Sequence, residues 1–187
     1  MVDLEKKKIH RWAWVLTGSG HFFNESIELI NSLDKVDLFV SKAAEEVLVM
    51  YKKKGLISDK IKIFKDNTAS AVPVGQFYRG IYHTLVMAPT SSNTVAKCVL
   101  GISDNLATNV FAQSGKCRVE CIFFPCDTAK ELKTLSPKGY VDVYPRNIDL
   151  ENVERLKKFE RTFVAMNFED LIKKIRIREK CLKKSYS

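Results

Sequence analysis

Short apolar runs separated by longer amphipathic segments set the pattern of this chain. Trp12-Ala13-Trp14-Val15-Leu16, Val36-Asp37-Leu38-Phe39-Val40 and Leu85-Val86-Met87-Ala88 are each brief and almost wholly apolar. Runs of that kind suit strands buried on both faces of a sheet. Ile61 to Phe64 and Arg118 to Phe124 add two more strands, and the alternating Tyr140 to Tyr144 reads as an edge strand. Between the strands, Phe23, Ile27 and Ile30 recur at helical spacing, and Lys42 to Tyr51 is built of strong helix formers. Val95 to Leu100 and the residues from Asn105 to about Gln113 predict further helices. The charged stretch after Leu150 reads as helical too, with a partial apolar face at Ile172, Ile175 and Ile177. Strands alternating with helices predict an α/β fold around a mostly parallel sheet.

Three of the strand-to-helix turns carry candidate chemistry. Thr17-Gly18-Ser19-Gly20 follows the first strand directly, and its glycines let the backbone turn sharply and approach a ligand. The helix beyond presents its positive dipole end, which suits a phosphate. The spacing is not G-x-G-x-x-G, so no nicotinamide fingerprint is read. Pro89, which has no N–H to donate, is expected to stop the central strand. Thr90-Ser91-Ser92-Asn93-Thr94 then leads into the next helix, where unpaired N–H groups and hydroxyls converge on a point fit for an anion or polar cofactor. The same residues also serve a plain helix cap, with Ser92, Asn93 or Thr94 as the capping residue. Ser41, after the second strand, is an ordinary cap by the same reasoning. Pro89, Pro125 and Pro145 each follow a strand, which would set all three along one carboxyl edge, where open α/β folds bind ligands. The aromatic segment Gln76 to His83 precedes the central strand and is expected to begin near that edge.

Composition narrows the class. A chain of 187 residues, 45% hydrophobic and 28% charged, is long enough for one globular domain. Its core is expected over about residues 11–145, with a charged helical extension over 149–187. No run approaches the ~18 apolar residues of a membrane span, and the Lys-rich start has no apolar leader, so a cytoplasmic protein is expected. The net charge of +9 comes from runs such as Lys6-Lys7-Lys8, Lys52-Lys53-Lys54 and Lys173-Lys174. No arginine and aromatic interleaving accompanies them, so nucleic acid is not expected as a partner. The five cysteines are odd in number, with one mid-helix and one in the Lys-rich tail, which argues against a disulfide framework, and the lack of a CxxC pair argues against a metal site.

Pro89-Thr90-Ser91-Ser92-Asn93-Thr94 followed by Gly101-Ile102-Ser103-Asp104-Asn105-Leu106 resembles the P-A-S-A-N-T … G-x-A-D-N-L signature of FMN-binding flavoproteins. That family includes cysteine decarboxylases, flavin prenyltransferases and archaeal dihydromethanopterin reductases. The resemblance implies a three-layer sandwich with a flavodoxin-like, or Rossmann-like, sheet and FMN across the carboxyl ends of strands one, two and four. It implies that Thr17, Gly18, Ser19, Gly20 and Ser41 hold the phosphate end. Ser91, Ser92, Asn93 and Thr94, with Asp104 and Asn105 of the second motif, would serve the rest of the cofactor. It further implies a trimer-based homo-oligomer with flavin at subunit interfaces.

Departures from the family pattern indicate the branch. Cysteine decarboxylases carry a histidine fourteen residues before the motif proline, where this chain has Gly75, and P-x-M-N where it has Pro125-Cys126-Asp127-Thr128. Flavin prenyltransferases carry an arginine at the position of Cys126, and a neutral thiol cannot make that bidentate phosphate contact. W-x-L-T-G-S-G-H-F-x-x-E-S and G-Q-F-Y-R-G-x-Y, both present here, are similar to the dihydromethanopterin reductase branch. The expected activity is therefore FMN-dependent reduction of dihydromethanopterin or a related pterin, with an external electron donor. Phe77, Tyr78 and Tyr82 would wall the acceptor pocket together with Cys126, and no catalytic residue is assigned. The alternatives are an electron carrier without its own substrate, and a decarboxylase or prenyltransferase.

Overall fold

The computed structural model describes residues 10–51, 55–66, 71–136 and 138–185. The basic runs Lys6–Lys8 and Lys52–Lys54, and residues 67–70 of the polar loop after the third strand, lie outside them. Six parallel strands form one sheet: β1 (Arg11–Leu16), β2 (Val36–Val40), β3 (Lys62–Lys65), β4 (Tyr82–Thr90), β5 (Glu120–Pro125) and, late in the chain, one at Thr162–Val164. A separate antiparallel hairpin, β6 (Leu132–Ser136) with β7 (Gly139–Val143), makes that last sheet strand β8. The sheet order is β3-β2-β1-β4-β5-β8, so the chain reverses direction of travel between β1 and β4. This is the switch point of a doubly wound sheet, where a crevice opens at the carboxyl ends.

Alternation along β1 shows how the three layers arise. Trp12, Trp14 and Leu16 face one side and pack on α1 (Phe23–Ser32), α2 (Lys42–Met50) and α7 (Phe168–Ser185). Ala13 and Val15 face the other side with α4 (Ser92–Val99), α5 (Leu106–Lys116) and α6 (Asn147–Leu156). A four-residue helix, α3 (Ala71–Val74), precedes β4. The three-layer α/β sandwich on a parallel sheet is thus as the sequence predicts.

Two parts of the predicted layout are corrected. Tyr140–Val143 pairs with the unpredicted strand β6, not with the main sheet, so Pro145 does not lie on the sheet's carboxyl edge. The sixth sheet strand is instead β8, inside the stretch read as wholly helical. The core also runs past residue 145: Val153, Leu156, Val164, Leu171 and Ile175 are buried in it. In α7 the inward positions are Leu171 and Ile175, while Ile177 is 47% exposed.

Pro89 does not end its strand, which continues through a cis Ala88–Pro89 bond to Thr90. The ladder to β5 shifts register between Met87 and Thr90. Side chains answer the irregularity. Thr90 Oγ1 donates to the Met87 carbonyl, Trp14 Nε1 to Ala88 at 2.7 Å and Thr17 Oγ1 to Pro89 at 2.9 Å. Buried carbonyls that would otherwise lack a full set of partners are satisfied in this way.

The aromatic segment crosses to the amino edge of the sheet. Arg11, the first residue of β1, is level with Tyr82, the first of β4. Asp37, 3% exposed at its side chain, accepts from Arg11 Nε at 2.9 Å and from the Tyr82 hydroxyl at 2.8 Å. Burial and the Asp37 carboxylate together push the Tyr82 hydroxyl far above its ordinary range. Phe77 lies fully buried between Phe39 and Tyr82. His83 is half-buried edge-on to Trp12, and burial with nearby Arg178 lowers it to about 3, so it stays neutral. Neither Phe77 nor Tyr82 can wall a pocket at the carboxyl edge, and Tyr78, though 65% exposed, bonds Gln113 on α5. Tyr82→Phe removes one donor from a buried carboxylate and should cost ~1–3 kcal/mol of stability by denaturant unfolding. Ligand binding at the carboxyl edge should be unchanged in that variant. Loss of binding there at full stability would return Tyr82 to the pocket.

Candidate functional site at the carboxyl edge

The cleft above the switch point is assembled from three sequence-distant loops. Its volume is about 270 Å³, and Gly18, Ser19, Gly20, Ser91, Ser92 and Cys126 form its floor and sides. Thr17, at the end of β1, is buried and joins the first two loops. Its hydroxyl donates to the Pro89 carbonyl and accepts from the Ser91 N–H at 2.8 Å. Within this chain Thr17 is thus a strut beneath the site, both bonds of its hydroxyl being internal.

Gly18 and Gly20 make room for α2. A Cβ at Gly18 would lie 2.5 Å from the Ala43 Cβ, and one at Gly20 would lie 2.1 Å from the Tyr51 hydroxyl. Close packing against the α2 backbone, rather than a positive φ, requires glycine at 18, while at 20 a side chain would have to displace the Tyr51 ring. The following α1 starts from Phe22 in the left-handed region and has no side-chain cap. Its first N–H groups, which have no partner within the helix, are thus left to the loop and to whatever binds there.

The second loop is more fully committed. Ser91, not Ser92, Asn93 or Thr94, caps α4: its Oγ accepts from the Thr94 N–H at 3.4 Å and pairs with the Thr94 hydroxyl at 3.0 Å. Ser92 lines the cleft, Thr94 is buried, and Asn93 is exposed rather than facing inward. Ser41 caps α2 by accepting from the Ala44 N–H at 3.1 Å and is not among the cleft-lining residues. Asp104 pairs with Lys97 at 2.6 Å, and Asn105 caps α5 in a reciprocal box with Thr108. Neither Asp104 nor Asn105 reaches the cleft within this chain.

The hairpin β6–β7, of which the sequence reading had only the second strand, forms the roof. Leu132, Thr134, Leu135 and Ser136 line the cleft, with Leu135 the most exposed of them. Two polar contacts hold it: His21 Nδ1 to the Thr134 hydroxyl at 3.1 Å, and the Tyr51 hydroxyl to the Leu135 carbonyl at 2.8 Å. The alternation Leu132-Lys133-Thr134-Leu135-Ser136, the turn signal around Lys138-Gly139, and the alternation after it are the signal that could have found the hairpin. His21 stacks on Phe124 with centroids 5.9 Å apart. Burial lowers its basicity, against the opposing pull of Asp127 and Glu25.

Electrostatically the cleft is unusual for an anion site. Among the described residues no lysine or arginine lines it, and Asp127 is part of the wall. Cys126 Sγ donates to Ser19 Oγ at 2.8 Å, and burial pushes the thiol up to about 12, so it stays protonated. Neutral donors and a helix dipole supply what attraction there is. Among the described residues no group of His, Cys, Asp and Glu could hold a metal ion, and no helix is long and apolar enough to cross a membrane.

A parallel sheet with glycine and serine loops at its switch point is the architecture of a nucleotide-type cofactor protein. The chain belongs to the flavoprotein family, whose pattern matches residues 2–182. An uncharacterised protein of Methanocaldococcus jannaschii is 34% identical over 172 residues, 87% of this chain and 92% of that one. A dihydromethanopterin reductase (acceptor) of Methanosarcina mazei is 37% identical over 134 residues. That match spans 63% of this chain but 55% of the reductase, about half its length. Among solved structures, DmrB of Burkholderia xenovorans in complex with FMN, described as a cubic protein cage for redox transfer, superposes with a TM-score of 0.83. It is 46% identical, over 95% of this chain and 99% of that chain. Phenylacrylic acid decarboxylase from Aquifex aeolicus, 22% identical at a TM-score of 0.63 over 83% of this chain and 80% of its own, shares the fold.

The roof should be separable from the core. Replacing both clasps, Tyr51→Phe with Thr134→Val, removes two hydrogen bonds of ~0.5–1.5 kcal/mol each. Limited proteolysis within residues 132–143 should accelerate roughly tenfold while global unfolding shifts little. Unchanged proteolysis would mean that other contacts hold the hairpin.

Proposed function

We propose that this chain binds FMN in the carboxyl-edge cleft and passes electrons from it to a flat acceptor, a dihydropterin such as dihydromethanopterin being favoured. The observation that carries the reading is the near full-length likeness to DmrB bound to FMN, at 46% identity, joined to a cleft of matching chemistry at the switch point. The residues present fit the group. The uncapped start of α1 and the Ser19 hydroxyl suit a phosphate monoester, and the room made by Gly18 and Gly20 keeps that loop close to α2. Ser92 and the cleft side of Ser91 stand where the sugar-like chain would leave the phosphate.

Bound FMN supplies two-electron transfer from its ring N5, and the protein supplies position and electrostatics. The hairpin roof excludes water from the polar end of the cleft. Neutral His21 and the protonated Cys126 keep the wall free of added charge near neutral pH. A 270 Å³ cleft falls just below the ~300–1,000 Å³ usual for whole ligands, which supports a site completed by a neighbouring chain. Exposed Asn93 and Asp104 and the half-buried Asn105 are the motif residues that would face it from a neighbouring copy, in a trimer-based assembly. An external reductant, protein or small molecule, would reload the flavin.

The decarboxylase and prenyltransferase readings remain disfavoured by Gly75 and by the buried neutral thiol of Cys126. A pure electron carrier differs from the reductase in needing no pterin. The test is FMN titration followed by stopped-flow reoxidation of the anaerobically photoreduced protein. Tight FMN uptake, with fast reoxidation by dihydropterins and none by cysteinyl peptides or prenyl phosphates, is the expected result. Failure to take up FMN overturns the flavin reading, and reoxidation by redox proteins alone moves the assignment to a carrier.

A further inference from the structure

Ser19 sits at the focus of the cleft, and its hydroxyl has two lone pairs and one proton. Both lone pairs are engaged by protein donors. The His21 backbone N–H donates to Ser19 Oγ at 3.2 Å, and the Cys126 thiol donates to it at 2.8 Å. No protein acceptor among the described residues takes the remaining proton, and Ser19 lines the cleft. Its O–H is thereby committed as a donor toward whatever lies there.

The surroundings make that commitment count. With no lysine or arginine among the described residues of the cleft wall and the Asp127 carboxylate beside Cys126, N–H and O–H groups are the donors that wall offers an anion. A serine free to rotate would offer a lone pair about as readily as a proton, and a lone pair repels a phosphate oxygen. The thiol of Cys126 is buried, 7% exposed, and it stays protonated over the working pH range. A thiol is a weak acceptor, so it does not compete for the Ser19 proton as a second hydroxyl would.

We infer that Cys126 is a positioning residue for cofactor selection: by donating to Ser19 it fixes the Ser19 hydroxyl as a donor to the phosphate of FMN, and so favours FMN over riboflavin. The inference rests on the FMN reading above and assigns Cys126 a role at the phosphate end, in place of the acceptor-pocket role expected from sequence. Cys126 acts through Ser19 and takes no part in electron transfer.

The test is a double-mutant cycle on ligand affinity, with FMN and riboflavin as the two probes and flavin fluorescence as the readout. Cys126→Ala should weaken FMN roughly fivefold, the scale of one neutral hydrogen bond, and leave riboflavin unchanged. Ser19→Ala should weaken FMN at least as much, and adding Cys126→Ala to it should have no further effect. The phosphorus resonance of bound FMN should shift in Cys126→Ala, which a mere packing defect would not produce. If the alanine variant melts below the assay temperature, Cys126→Val fills the space without a donor and takes its place. Equal losses for FMN and riboflavin, or additive losses in the double variant, would overturn the inference. Absence of FMN binding by the unaltered protein would instead overturn the flavin reading itself.

Discussion

Pro89 removes one N–H from the most central strand of the sheet, and the site is built around the consequence. Three carbonyls in a row, those of Met87, Ala88 and Pro89, receive side-chain donors from Thr90, Trp14 and Thr17. The last of these also accepts from the Ser91 N–H. One buried hydroxyl thus ties the end of β1 to the end of β4 and to the cap of α4. Such a polar group is costly to leave unpaired, so both loops are held in one relative position. The distance between the Ser19 loop and the Ser91 loop, and hence the width of the cleft, follows from that tie.

Around this fixed floor the walls are of two kinds. Gly18 is pressed against α2 and Gly20 against the Tyr51 ring, so the first loop is held by crowding. The roof is a two-stranded hairpin, which has little stability alone and rests on two polar clasps. A rigid donor-lined floor with a lightly held cover is suited to a cofactor that stays while its surroundings open. The described part of the wall holds no lysine or arginine, so its hydroxyl and amide donors do the holding and their orientation matters more than their number.

The strands and their layers were legible because burial on two faces leaves a plain mark, as in Trp12–Leu16 and Leu85–Ala88. The loops were legible as loops, but not which of their atoms remain available. Ser91 and Ser92 are adjacent in sequence, yet one caps α4 and the other lines the cleft. Thr17 looks like its neighbours until its burial shows both of its bonds to be internal. Phe77 and Tyr82 misled because an aromatic segment before a parallel strand has to cross to the amino edge. Tyr140–Tyr144 was legible as a strand but its partner β6 was not, since half-exposed β6 carries a weak alternation, and β8, with three residues, is too short to show a period.

The central claim is that the phosphate of FMN is held over the start of α1 by neutral donors of this one chain. Co-crystals with FMN test it most directly. The account predicts phosphate density within hydrogen-bonding distance of Ser19 Oγ and the loop N–H groups at Gly18–His21, with no lysine or arginine of the same chain in contact. Phosphate density held by a same-chain lysine or arginine, or lying at the amino edge near Tyr82, would contradict it.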